Sequence, residues 1–577
     1  MRSIARSMAP LRLPFDATLT MPGSKSHANR AIIAACLSSG NTTIRNATVC
    51  DDVDHLVHNL QTTGFALHYK DRKKGILLIR GRLPVLRKKK PVELFCGNAG
   101  TTTRFLTALA CVVPGSFIIT GDSAMRNRPI HDLVEALGLL GADIQDTNGC
   151  PPVFVGRRTI RGGSISLKSH KSSQYLSALL LIAPALSGGL SLHVSGSLPS
   201  RSYVDLTKHV MRDFGVTVRE RKGAFSVSKH ASYRSPRLYD IVGDHSAAGA
   251  FLVLAELTRS SARFSNLHQH SDQGDAVLPR VITRMRKGGT ITIDCSDFPD
   301  QVMNLAMLAA FRGGQTLFTG ISNLRHKECD RLAVLTRELR RAGITIREQG
   351  DDLIVRGIAR LTPALLDPHH DHRMAFCFAI LGSVHAGIRI KHSQCVSKSY
   401  PRFFEDLQIL HHSSKPIAII GMRGVGKSTF GKKLASSLRL KHIDTDSVFE
   451  RKHGSIRSYF QRKRLVEFRR EEERIVAECL KPHCVVSLGG GAIESPATRK
   501  ILKERAVVIS LQARSSSILQ RLKRDRRPPL TPLPLVKEVP LIMKRRRPLE
   551  ESVAHISLRE PHDLRFAIHS LRALCSR

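Results

Sequence analysis

One arrangement recurs along the first 410 residues and constrains the fold more than any other feature. A helix with one apolar face runs into a glycine, and a short strand of alternating apolar residues follows. The glycines of the five clearest copies are Gly64, Gly141, Gly215, Gly289 and Gly343. Glycine ends a helix in the left-handed conformation without steric cost. The spacings of 77, 74, 74 and 54 residues are too long for a solenoid. With a sixth candidate helix at 401–410 they predict a repeated α/β architecture of six units, although any α/β protein contains some such steps.

Length and composition set the number and kind of domains. A chain of 577 residues exceeds what one hydrophobic core supports, so about three or four domains are expected. Hydrophobic residues at 42% and charged residues at 24% are typical of a soluble globular protein. The polar run HHSSK at 411–415 predicts a linker. Composition changes there: 411–577 hold 36 Lys and Arg against 16 Asp and Glu, whereas the first 410 residues hold 54 against 32.

The net charge of +42 favours anionic partners, which include nucleic acids, membranes and phosphorylated metabolites. Aromatic residues at 5% and the absence of Trp argue against stacking on unpaired bases. The twelve cysteines form no CxxC pair, and no apolar run reaches the roughly 18–20 residues of a membrane helix. The N-terminus has arginines but no apolar core, so we expect a cytoplasmic protein, with a transit peptide as the alternative.

A phosphate-binding motif follows the linker. Residues 421–429, GMRGVGKST, match GxxxxGK[ST] after a short buried strand and before a helix. The glycines let backbone N–H groups face a phosphate at the helix N-terminus, where the helix dipole also favours an anion. Lys427 is placed to reach the β- and γ-phosphates, and Ser428 to offer its hydroxyl to Mg²⁺. The predicted ATP-binding residues of this loop are Gly424, Val425, Gly426, Lys427, Ser428 and Thr429.

Several motifs in fixed order follow the phosphate loop: Asp444-Thr445-Asp446, Phe468-Arg469, Gly489-Gly490-Gly491 and two basic segments at 521–530 and 544–549. This constellation resembles shikimate kinase over nearly all of 415–577. By that resemblance Asp444 and Ser428 hold Mg²⁺, and Arg521 and Arg527 contact ATP. The residues that it implies for shikimate binding are Asp446, Arg469, Gly489, Gly490, Gly491 and Arg546.

Two positions depart from the kinase pattern. Arg464-Leu465 replaces a usual Gly-Glu, and Glu550 replaces an aromatic residue. A one-residue deletion near Arg521 also loosens the match there. These departures leave a weakened kinase as an alternative.

The N-terminal part carries a series of separated motifs, which begins with Pro22-Gly23-Ser24-Lys25-Ser26 at a helix start. The others contain Asn98 and Gly100, Arg128, Ser172-Ser173-Gln174, Ser200 with Tyr203, Asp300, Asn323 through Arg331, Asp371-His372-Arg373, and Lys398. In this order they resemble 5-enolpyruvylshikimate-3-phosphate (EPSP) synthase over 15–410. The resemblance implies two globular domains of three α/β units each, with chain crossings near residues 22 and 242, in agreement with the six-unit repeat.

The resemblance also implies a reaction and its residues. The enolpyruvyl group of phosphoenolpyruvate moves to the 5-hydroxyl of shikimate 3-phosphate, and phosphate leaves. The implied residues for shikimate 3-phosphate are Lys25, Ser26, Arg30, Ser172, Ser173, Gln174, Ser200, Tyr203, Asp300, Asn323 and Lys327. Those for phosphoenolpyruvate are Lys25, Asn98, Gly100, Arg128, Gln174, Arg331, Arg373 and Lys398. We expect Asp300 to act as the base and Glu328 as the proton donor, with Lys327, Lys25 and His372 assisting.

Three other interpretations compete. The transferase fold also suits an enzyme acting on a UDP-sugar, but the Ser-Ser-Gln and Lys25–Arg30 motifs argue against it. The basic tail could be a nucleic-acid-binding module with a vestigial phosphate loop. The run His369-His370-Asp371-His372 resembles a metal cluster, yet ligands on one helix are expected at i and i+4. Thr103-Arg104-Phe105 lacks a proline that is common in the family, which leaves inhibitor sensitivity open.

The sequence therefore predicts a bifunctional enzyme of aromatic biosynthesis. The transferase is expected at 1–410, with subdomain A at about 1–22 and 243–410 and subdomain B at about 23–242. A linker at 411–415 and a P-loop kinase domain with a parallel sheet at 416–577 follow. Mg²⁺ is expected with ATP in the kinase, no cofactor in the transferase, no specific nucleic acid or membrane partner, and a monomer.

Overall fold

The computed structural model describes residues 5–11, 13–84, 90–168, 172–196, 198, 200–268, 271–357, 360–411, 413–462, 465–523, 531 and 533–573. The chain divides into two compact units. The first unit consists of Met1–Pro10, Thr18–Leu254 and Arg263–Phe404, and the second of Leu11–Ala17, Ala255–Ala262 and Glu405–Arg577.

Helices of the first unit lie between strands in a repeating order. They are Lys25–Leu37, Asp51–Thr62, Gly100–Ala110, His131–Leu139, Ser173–Ile182, Arg201–Asp213, His245–Leu257, Leu278–Met285, Val302–Phe311, Arg331–Arg341, His372–Val384 and, at the boundary, Phe403–His411. Two further strands, Asp16–Leu19 and Ser261–Phe264, each have residues in both units.

The first unit contains four four-stranded sheets with the same topology. In each, the first and second strands are parallel, the second and third are antiparallel, and the third and fourth are antiparallel. In spatial order their strands are Leu238–Asp240, Gly40–Arg45, Ile76–Gly81, Ala66–Asp71; Val92–Phe95, Phe117–Thr120, Cys150–Val155, Ile144–Thr147; Gly163–Lys168, Leu190–Ser195, Ala224–Val227, Arg219–Arg221; and Ile291–Asp294, Gln315–Thr319, Asp352–Arg356, Thr345–Gln349. A three-stranded sheet, Arg6–Ser7, Ile388–Ile390 and Ala364–Leu366, is a shortened version. The predicted α/β repeat is confirmed.

The five marker glycines all have the left-handed backbone that the sequence predicts, with φ between +84° and +97°. Four of them lead into the outer strand that closes the antiparallel side of a sheet. Gly289 instead leads into Ile291–Asp294, at the parallel edge of its sheet. The helix–glycine–strand segment at Gly289 is therefore not equivalent to the others, because the strand after the glycine can form either edge of a sheet.

Two extended segments of the first unit lie side by side, near residues 22 and 242, where the chain was predicted to cross between subdomains. Gly23 and Gly243 form an antiparallel bridge, flanked by hydrogen bonds from Ser24 N to Val242 O (2.8 Å) and from Asp244 N to Pro22 O (2.9 Å). A side chain at Gly23 would collide with the carbonyl oxygen of Asn46. This close approach fixes where the Lys25–Leu37 helix begins.

The second unit contains a five-stranded parallel sheet, as predicted. Its strands in spatial order are Lys441–Asp444, Cys484–Ser487, Ile417–Gly421, Val507–Gln512 and Ile556–Arg559. Its helices are Lys427–Leu438, Thr445–His453, Ile456–Arg462, Leu465–Cys479, Pro496–Arg505, Ser515–Leu522, Leu535–Glu551 and Leu564–Ala573.

The central strand of this sheet is buried on both faces. Ile417 and Ile419 belong to one apolar cluster, and Ala418 and Ile420 to the other. A continuous apolar run is what a parallel strand between two helical layers requires. None of the helices in the part of the chain that the structure describes is long and apolar enough to span a bilayer.

Candidate active sites

A cavity in the first unit brings together residues from distant parts of the sequence. Its lining includes all the predicted transferase residues except Asn98 and Lys398. It also includes residues that were not predicted: Asp52, Thr101, Arg104, Pro129, Tyr175 and His326. Several helices begin at this cavity, among them Lys25–Leu37, Gly100–Ala110, Ser173–Ile182 and Arg331–Arg341. Helix N-termini and basic side chains at one place favour an anion.

Arg331 is the most strongly paired cation of the cavity. Its guanidinium donates to Asp300 (2.7 Å), Glu328 (2.8 Å) and Asp371 (2.7 Å), and its side chain is only 2% exposed. Arg373 Nη2 lies 3.0 Å from the other oxygen of Asp300. Asp371 also caps its own helix by accepting from Arg373 N at 2.8 Å. Bonds to charged groups inside a protein are short and strong, so this network fixes the geometry of the cavity wall.

Asp52 links two lysines that the sequence assigned to phosphoenolpyruvate. Lys25 Nζ lies 2.7 Å from one carboxylate oxygen of Asp52, and Lys398 Nζ lies 2.8 Å from the other. Lys398 also donates to the backbone oxygen of Asn98 and lies 3.6 Å from Glu328. The two predicted residues outside the lining, Asn98 and Lys398, thus connect to the cavity through this contact.

These charges shift the acidities of the predicted catalytic groups. Burial alone raises the pKa of Asp300, but Arg373, Lys327 and Arg331 outweigh it and hold this pKa far below its usual range. Glu328 is likewise buried, yet Arg331, Lys398 and Arg128 keep its pKa well below the usual value. Burial lowers the pKa of Lys327. Both carboxyl groups are therefore ionised at neutral pH.

His372 differs from the other catalytic candidates because its ring makes no hydrogen bond within the described residues. It is 1% exposed, lines the cavity, and has a pKa held well below its usual value by burial and by nearby cations, Lys25 first among them. The imidazole is therefore neutral. The cluster predicted as a metal alternative contains this residue; in the described residues no group of three or more His, Cys, Asp and Glu is placed to hold a metal ion.

Arg30 reaches the cavity wall but is engaged by the protein itself. Its guanidinium donates to Thr207 Oγ1 (2.7 Å), Ser26 O (2.7 Å) and Tyr203 O (3.1 Å). Burial lowers its pKa to about 10. These contacts show that Arg30 holds two helices together as well as lining the cavity.

Polar side chains without charge complete the lining. Tyr203 OH donates to Asp300 at 3.0 Å, and Asn323 donates to Ser200 Oγ at 3.1 Å. Gln174 Nε2 lies 3.3 Å from Thr101 Oγ1. Ser172 caps the helix that Ser173 begins, by accepting from Gln174 N at 3.2 Å.

Gly100 lies directly against Arg128. A methyl group at Gly100 would come within 2.5 Å of Arg128 Nη2. Arg128 Nη1 donates to both the backbone and side-chain oxygens of Asn98 at 3.3 Å. In the next turn Arg104, where the family often has a following proline, donates to Pro129 O at 2.7 Å.

The second unit carries the phosphate loop at the end of the central strand. Gly424 and Gly426 have φ of +79° and +98°, and the helix Lys427–Leu438 begins directly after them. Lys427 Nζ donates to Gly421 O (3.0 Å) and Met422 O (3.2 Å). Burial lowers the pKa of Lys427, although Asp446, Glu550 and Asp444 oppose this. Thr429 is in the first turn of the same helix.

Ser428 and Asp444 lie together, as the sequence predicted. Ser428 Oγ donates to Asp444 Oδ2 at 2.5 Å, while Asp444 Oδ1 accepts from Asp446 N at 3.0 Å. Mg²⁺ prefers oxygen ligands and keeps several waters, so one hydroxyl and one carboxylate beside a phosphate loop fit this ion.

The residues predicted for shikimate also converge. Arg469 donates to Glu472 (2.6 Å) and Glu494 (3.2 Å), and Arg546 donates to Glu494 (3.0 Å) and Gly490 O (2.7 Å). A methyl group at Gly489 would lie 2.7 Å from Asp446 Oδ1, and one at Gly491 would collide with Arg469. The triple-glycine turn therefore leaves room for these charged side chains.

The remaining predictions for the kinase have mixed outcomes. Arg521 Nη1 lies 3.3 Å from the backbone oxygens of Gly424 and Val425, so it contacts the phosphate loop. Arg527 and Arg464 lie outside the described residues. Glu550 is buried and accepts from Ser510 Oγ at 3.3 Å; burial raises its pKa against the effect of Lys427.

Sequence reasoning assigned no role to Asp52, Asp371, Glu472 or Glu494. Each is an acidic residue whose importance comes from the cation that it contacts. Asp52 lies at the start of a helix, and Glu494 lies in a short turn; an acidic residue is common at both kinds of position. No local signal distinguishes them, because their arginine and lysine partners are mostly distant in sequence.

Together these features define two classes of protein in one chain: a transferase built of repeated α/β units, and a P-loop kinase. A solved structure of EPSP synthase from Acinetobacter baumannii shares the fold of the first, with a TM-score of 0.58 and 24% identity over 70% of this chain and 97% of that one. The family model for EPSP synthase (3-phosphoshikimate 1-carboxyvinyltransferase) matches residues 12–407, and the model for shikimate kinase matches 423–569. The chain belongs to the EPSP synthase family and carries a shikimate kinase domain.

Two relatives differ in how much of this chain they match. A 3-phosphoshikimate 1-carboxyvinyltransferase from Shewanella baltica is 34% identical over 411 residues, which cover 68% of this chain and 96% of that protein. The pentafunctional AROM polypeptide of Yarrowia lipolytica is 32% identical over 603 residues, covering 94% of this chain and 38% of the polypeptide. The similarity to the second relative extends across both units.

Proposed function

We propose that this chain catalyses two consecutive steps: ATP-dependent phosphorylation of shikimate to shikimate 3-phosphate, and transfer of enolpyruvyl from phosphoenolpyruvate to the 5-hydroxyl of that product. The observation that carries the proposal is the presence of two separate sites with complementary chemistry. One is a cavity lined by cations for two phosphorylated carboxylates, and the other is a phosphate loop beside a carboxylate-binding pair of arginines.

In the kinase, the backbone N–H groups of 424–429 hold the ATP phosphates, and Lys427 leaves its loop carbonyls for the β- and γ-phosphates. Ser428 and Asp444 hold Mg²⁺, which when bound neutralises charge on the transferring phosphoryl group. Asp446 and the turn Gly489–Gly491 position the hydroxyl groups of shikimate. Arg469 and Arg546 bind its carboxylate. Arg521 and Arg527 cover the nucleotide.

In the transferase, two anionic substrates occupy the cavity. Shikimate 3-phosphate contacts the hydroxyl and amide groups of the cavity together with Lys25, Arg30 and Lys327. Phosphoenolpyruvate lies against Lys25, Gly100 and Gln174. It also meets four further cations, Arg128, Arg331, Arg373 and Lys398, of which Arg128 and Lys398 are supported by Asn98.

The reaction proceeds by addition and then elimination. Asp300 takes the proton of the 5-hydroxyl, whose oxygen bonds to C2 of phosphoenolpyruvate while Glu328 protonates C3. Phosphate then leaves C2 with the proton that Asp300 holds, and Glu328 takes a proton back from C3 as the double bond is restored. The surrounding cations keep Glu328 ionised at neutral pH, so we infer that substrate anions raise its pKa by neutralising Arg331, Arg128 and Lys398. Neutral His372 supplies an additional polar contact.

The division into domains follows from the same proposal. The transferase extends to about residue 410, and the kinase begins at about 416. Subdomain B of the transferase lies between the two crossings at Gly23 and Gly243, which pair with each other. We further propose a cytoplasmic monomer without a nucleic-acid partner; the eleven cysteines of the described residues are all free thiols, which suits a reducing compartment.

One experiment tests both activities. The full chain receives shikimate, ATP, Mg²⁺ and phosphoenolpyruvate, and ADP and inorganic phosphate are followed separately. Lys427→Ala is expected to lower ADP formation by about 1,000-fold and to leave phosphate release from supplied shikimate 3-phosphate unchanged. Asp300→Ala is expected to do the reverse, by a similar factor of about 1,000.

The outcomes separate the alternatives. Absence of ADP in the unchanged protein sinks the kinase proposal and supports a vestigial loop. ADP without phosphate sinks the transferase proposal, and phosphate release with a UDP-sugar in place of shikimate 3-phosphate supports the rival transferase. Loss of both signals in Lys427→Ala contradicts two independent sites.

A further inference from the structure

The carboxylate of Glu494 lies among three arginines in the second unit. It accepts from Arg469 Nη2 at 3.2 Å and from Arg546 Nε at 3.0 Å, and it also pairs with Arg545. Glu494 ends the short turn Ala492–Glu494, which directly follows the triple glycine. Its place in the fold is thus fixed by the same turn that lines the proposed shikimate pocket.

The two arginines that share Glu494 come from different helices. Arg469 is in Leu465–Cys479, and Arg546 is in Leu535–Glu551. Each has a second anchor: Arg469 donates to Glu472 at 2.6 Å, and Arg546 donates to Gly490 O at 2.7 Å. Glu494 is therefore the group that joins the two guanidinium groups to each other, with one oxygen toward each.

The three side chains of this contact are wholly or largely buried. The side chain of Arg546 is 3% exposed, and those of Arg469 and Glu494 are 25% and 23% exposed. A long arginine side chain loses much rotamer freedom when it is fixed, and a fixed partner removes that cost before a ligand arrives. The Arg546 bond lowers the pKa of Glu494 against the opposing effect of burial, so its carboxylate is ionised at neutral pH.

We propose that Glu494 is a positioning residue for the carboxylate of shikimate: it holds Arg469 and Arg546 at one spacing so that both meet the substrate in a single arrangement. This inference rests on the proposed kinase function. Glu494 acts through the two arginines and contributes to shikimate affinity alone, because its contacts do not include the phosphate loop. The opposite relation, in which Glu494 competes with the substrate carboxylate for the arginines, predicts tighter binding on its removal.

Steady-state kinetics of ADP formation by the full chain test the proposal. Glu494→Gln keeps the shape and one carbonyl oxygen but loses the charge; we expect its KM for shikimate to rise about tenfold, since it weakens two charge-assisted bonds. The KM for ATP and kcat are expected to stay within about twofold. Glu494→Asp keeps the charge and is expected to recover part of the lost affinity.

Glu551→Gln serves as the matched control, because Glu551 has the same charge, pairs with Arg547 at 3.1 Å and is 54% exposed. A second substrate, the shikimate analogue with its carboxylate reduced to an alcohol, isolates the contact. Wild type and Glu494→Gln are expected to use this analogue equally well. Direct shikimate binding by calorimetry on Glu494→Ala gives the same comparison without turnover, and thermal unfolding checks that each variant is folded.

Several results overturn the proposal. An unchanged or lower KM for shikimate in Glu494→Gln does so, and so does an equal loss with the alcohol analogue or an equal rise in the KM for ATP. A variant that fails to fold assigns Glu494 a role in stability instead and also overturns it. If the unchanged protein forms no ADP from shikimate, the proposed function itself fails, whereas normal wild-type turnover with an insensitive Glu494→Gln rejects this inference alone.

Discussion

The two sites of this chain hold their cations in different ways. In the transferase cavity, Arg331 contacts three carboxylates, and Asp52 contacts two lysines. In the phosphate loop, Lys427 donates to two backbone carbonyls at 3.0 and 3.2 Å. In the cavity, buried cations pair with buried carboxylates. In the phosphate loop, the lysine is held by hydrogen bonds to backbone carbonyl oxygens.

This difference reflects the way the two sites are assembled. The cavity draws its ion pairs from residues as far apart as Asp52 and Lys398, which are 346 positions apart. The phosphate loop is one segment, whose conformation is set by glycines with positive φ. Loss of one charge in the cavity should therefore disturb its partners, because an unpaired buried charge is costly. Loss of a loop residue should remove only the contacts of that residue.

The sharpest test of this contrast is Asp52→Asn. We expect kcat/KM for phosphoenolpyruvate to fall by about 100-fold, since Lys25 and Lys398 lose the buried carboxylate that holds both of them. Burial lowers the pKa of Lys25, but Asp52 and Glu328 raise it above the usual value. Without Asp52 this pKa falls, so the alkaline limb of the pH profile of kcat/KM should move to lower pH. Initial rates of phosphate release between pH 6 and about 11.5 measure both effects.

The matched control for Asp52→Asn is its neighbour Asp51→Asn. Asp51 is exposed and bonds to Ser397 Oγ at 2.6 Å, so the same change there is expected to alter kcat/KM by less than about threefold. Equal effects of the two variants, or an alkaline limb that stays in place, would contradict the role of Asp52 as the link between Lys25 and Lys398.

A smaller effect is expected from Gly100→Ala. The new methyl group would lie 2.5 Å from Arg128 Nη2, at the far end of a flexible side chain. The guanidinium can move, so the fold should remain stable while the KM for phosphoenolpyruvate rises about tenfold through loss of one charge-assisted contact. Gly138→Ala is the control, because a methyl group there meets nothing within 4 Å. Steady-state kinetics with a normal KM in Gly100→Ala would show that Arg128 does not depend on this space.

These cases show which parts of the molecule the sequence could predict. The α/β repeat and the phosphate loop rest on local signals: a glycine after a helix, or GK[ST] after a buried strand. Gly100 was predicted to contact phosphoenolpyruvate, and the structure shows that a side chain there would meet Arg128. Asp52 was not predicted, since an acidic residue at a helix start is ordinary and its partner Lys398 is remote.

The same limit applies to groups whose partners decide their role. Arg30 was predicted to face a phosphate, and no sequence signal indicates that it also binds Thr207 and Tyr203 O. Glu328 was predicted to donate a proton, yet the cations around it keep its carboxyl group ionised at neutral pH. Such properties depend on distances between side chains from separate units of the repeat, which no spacing along the chain encodes.

The smallest expected effect concerns Glu550, which brings a buried carboxylate next to the otherwise backbone-held Lys427. Burial raises the pKa of Glu550, and a group with a raised pKa contributes stability that is lost as pH increases through that pKa. Glu550→Gln removes this pH-dependent loss of stability. The temperature at which half of the kinase activity survives heating should therefore rise by about 2–4 °C at pH 8, with little gain near pH 4.5. Residual ADP formation after heating the full chain measures the midpoint, and Glu551→Gln, at an exposed position, is the control. A gain that is the same at both pH values would mean that Glu550 acts through packing and not through its charge beside Lys427.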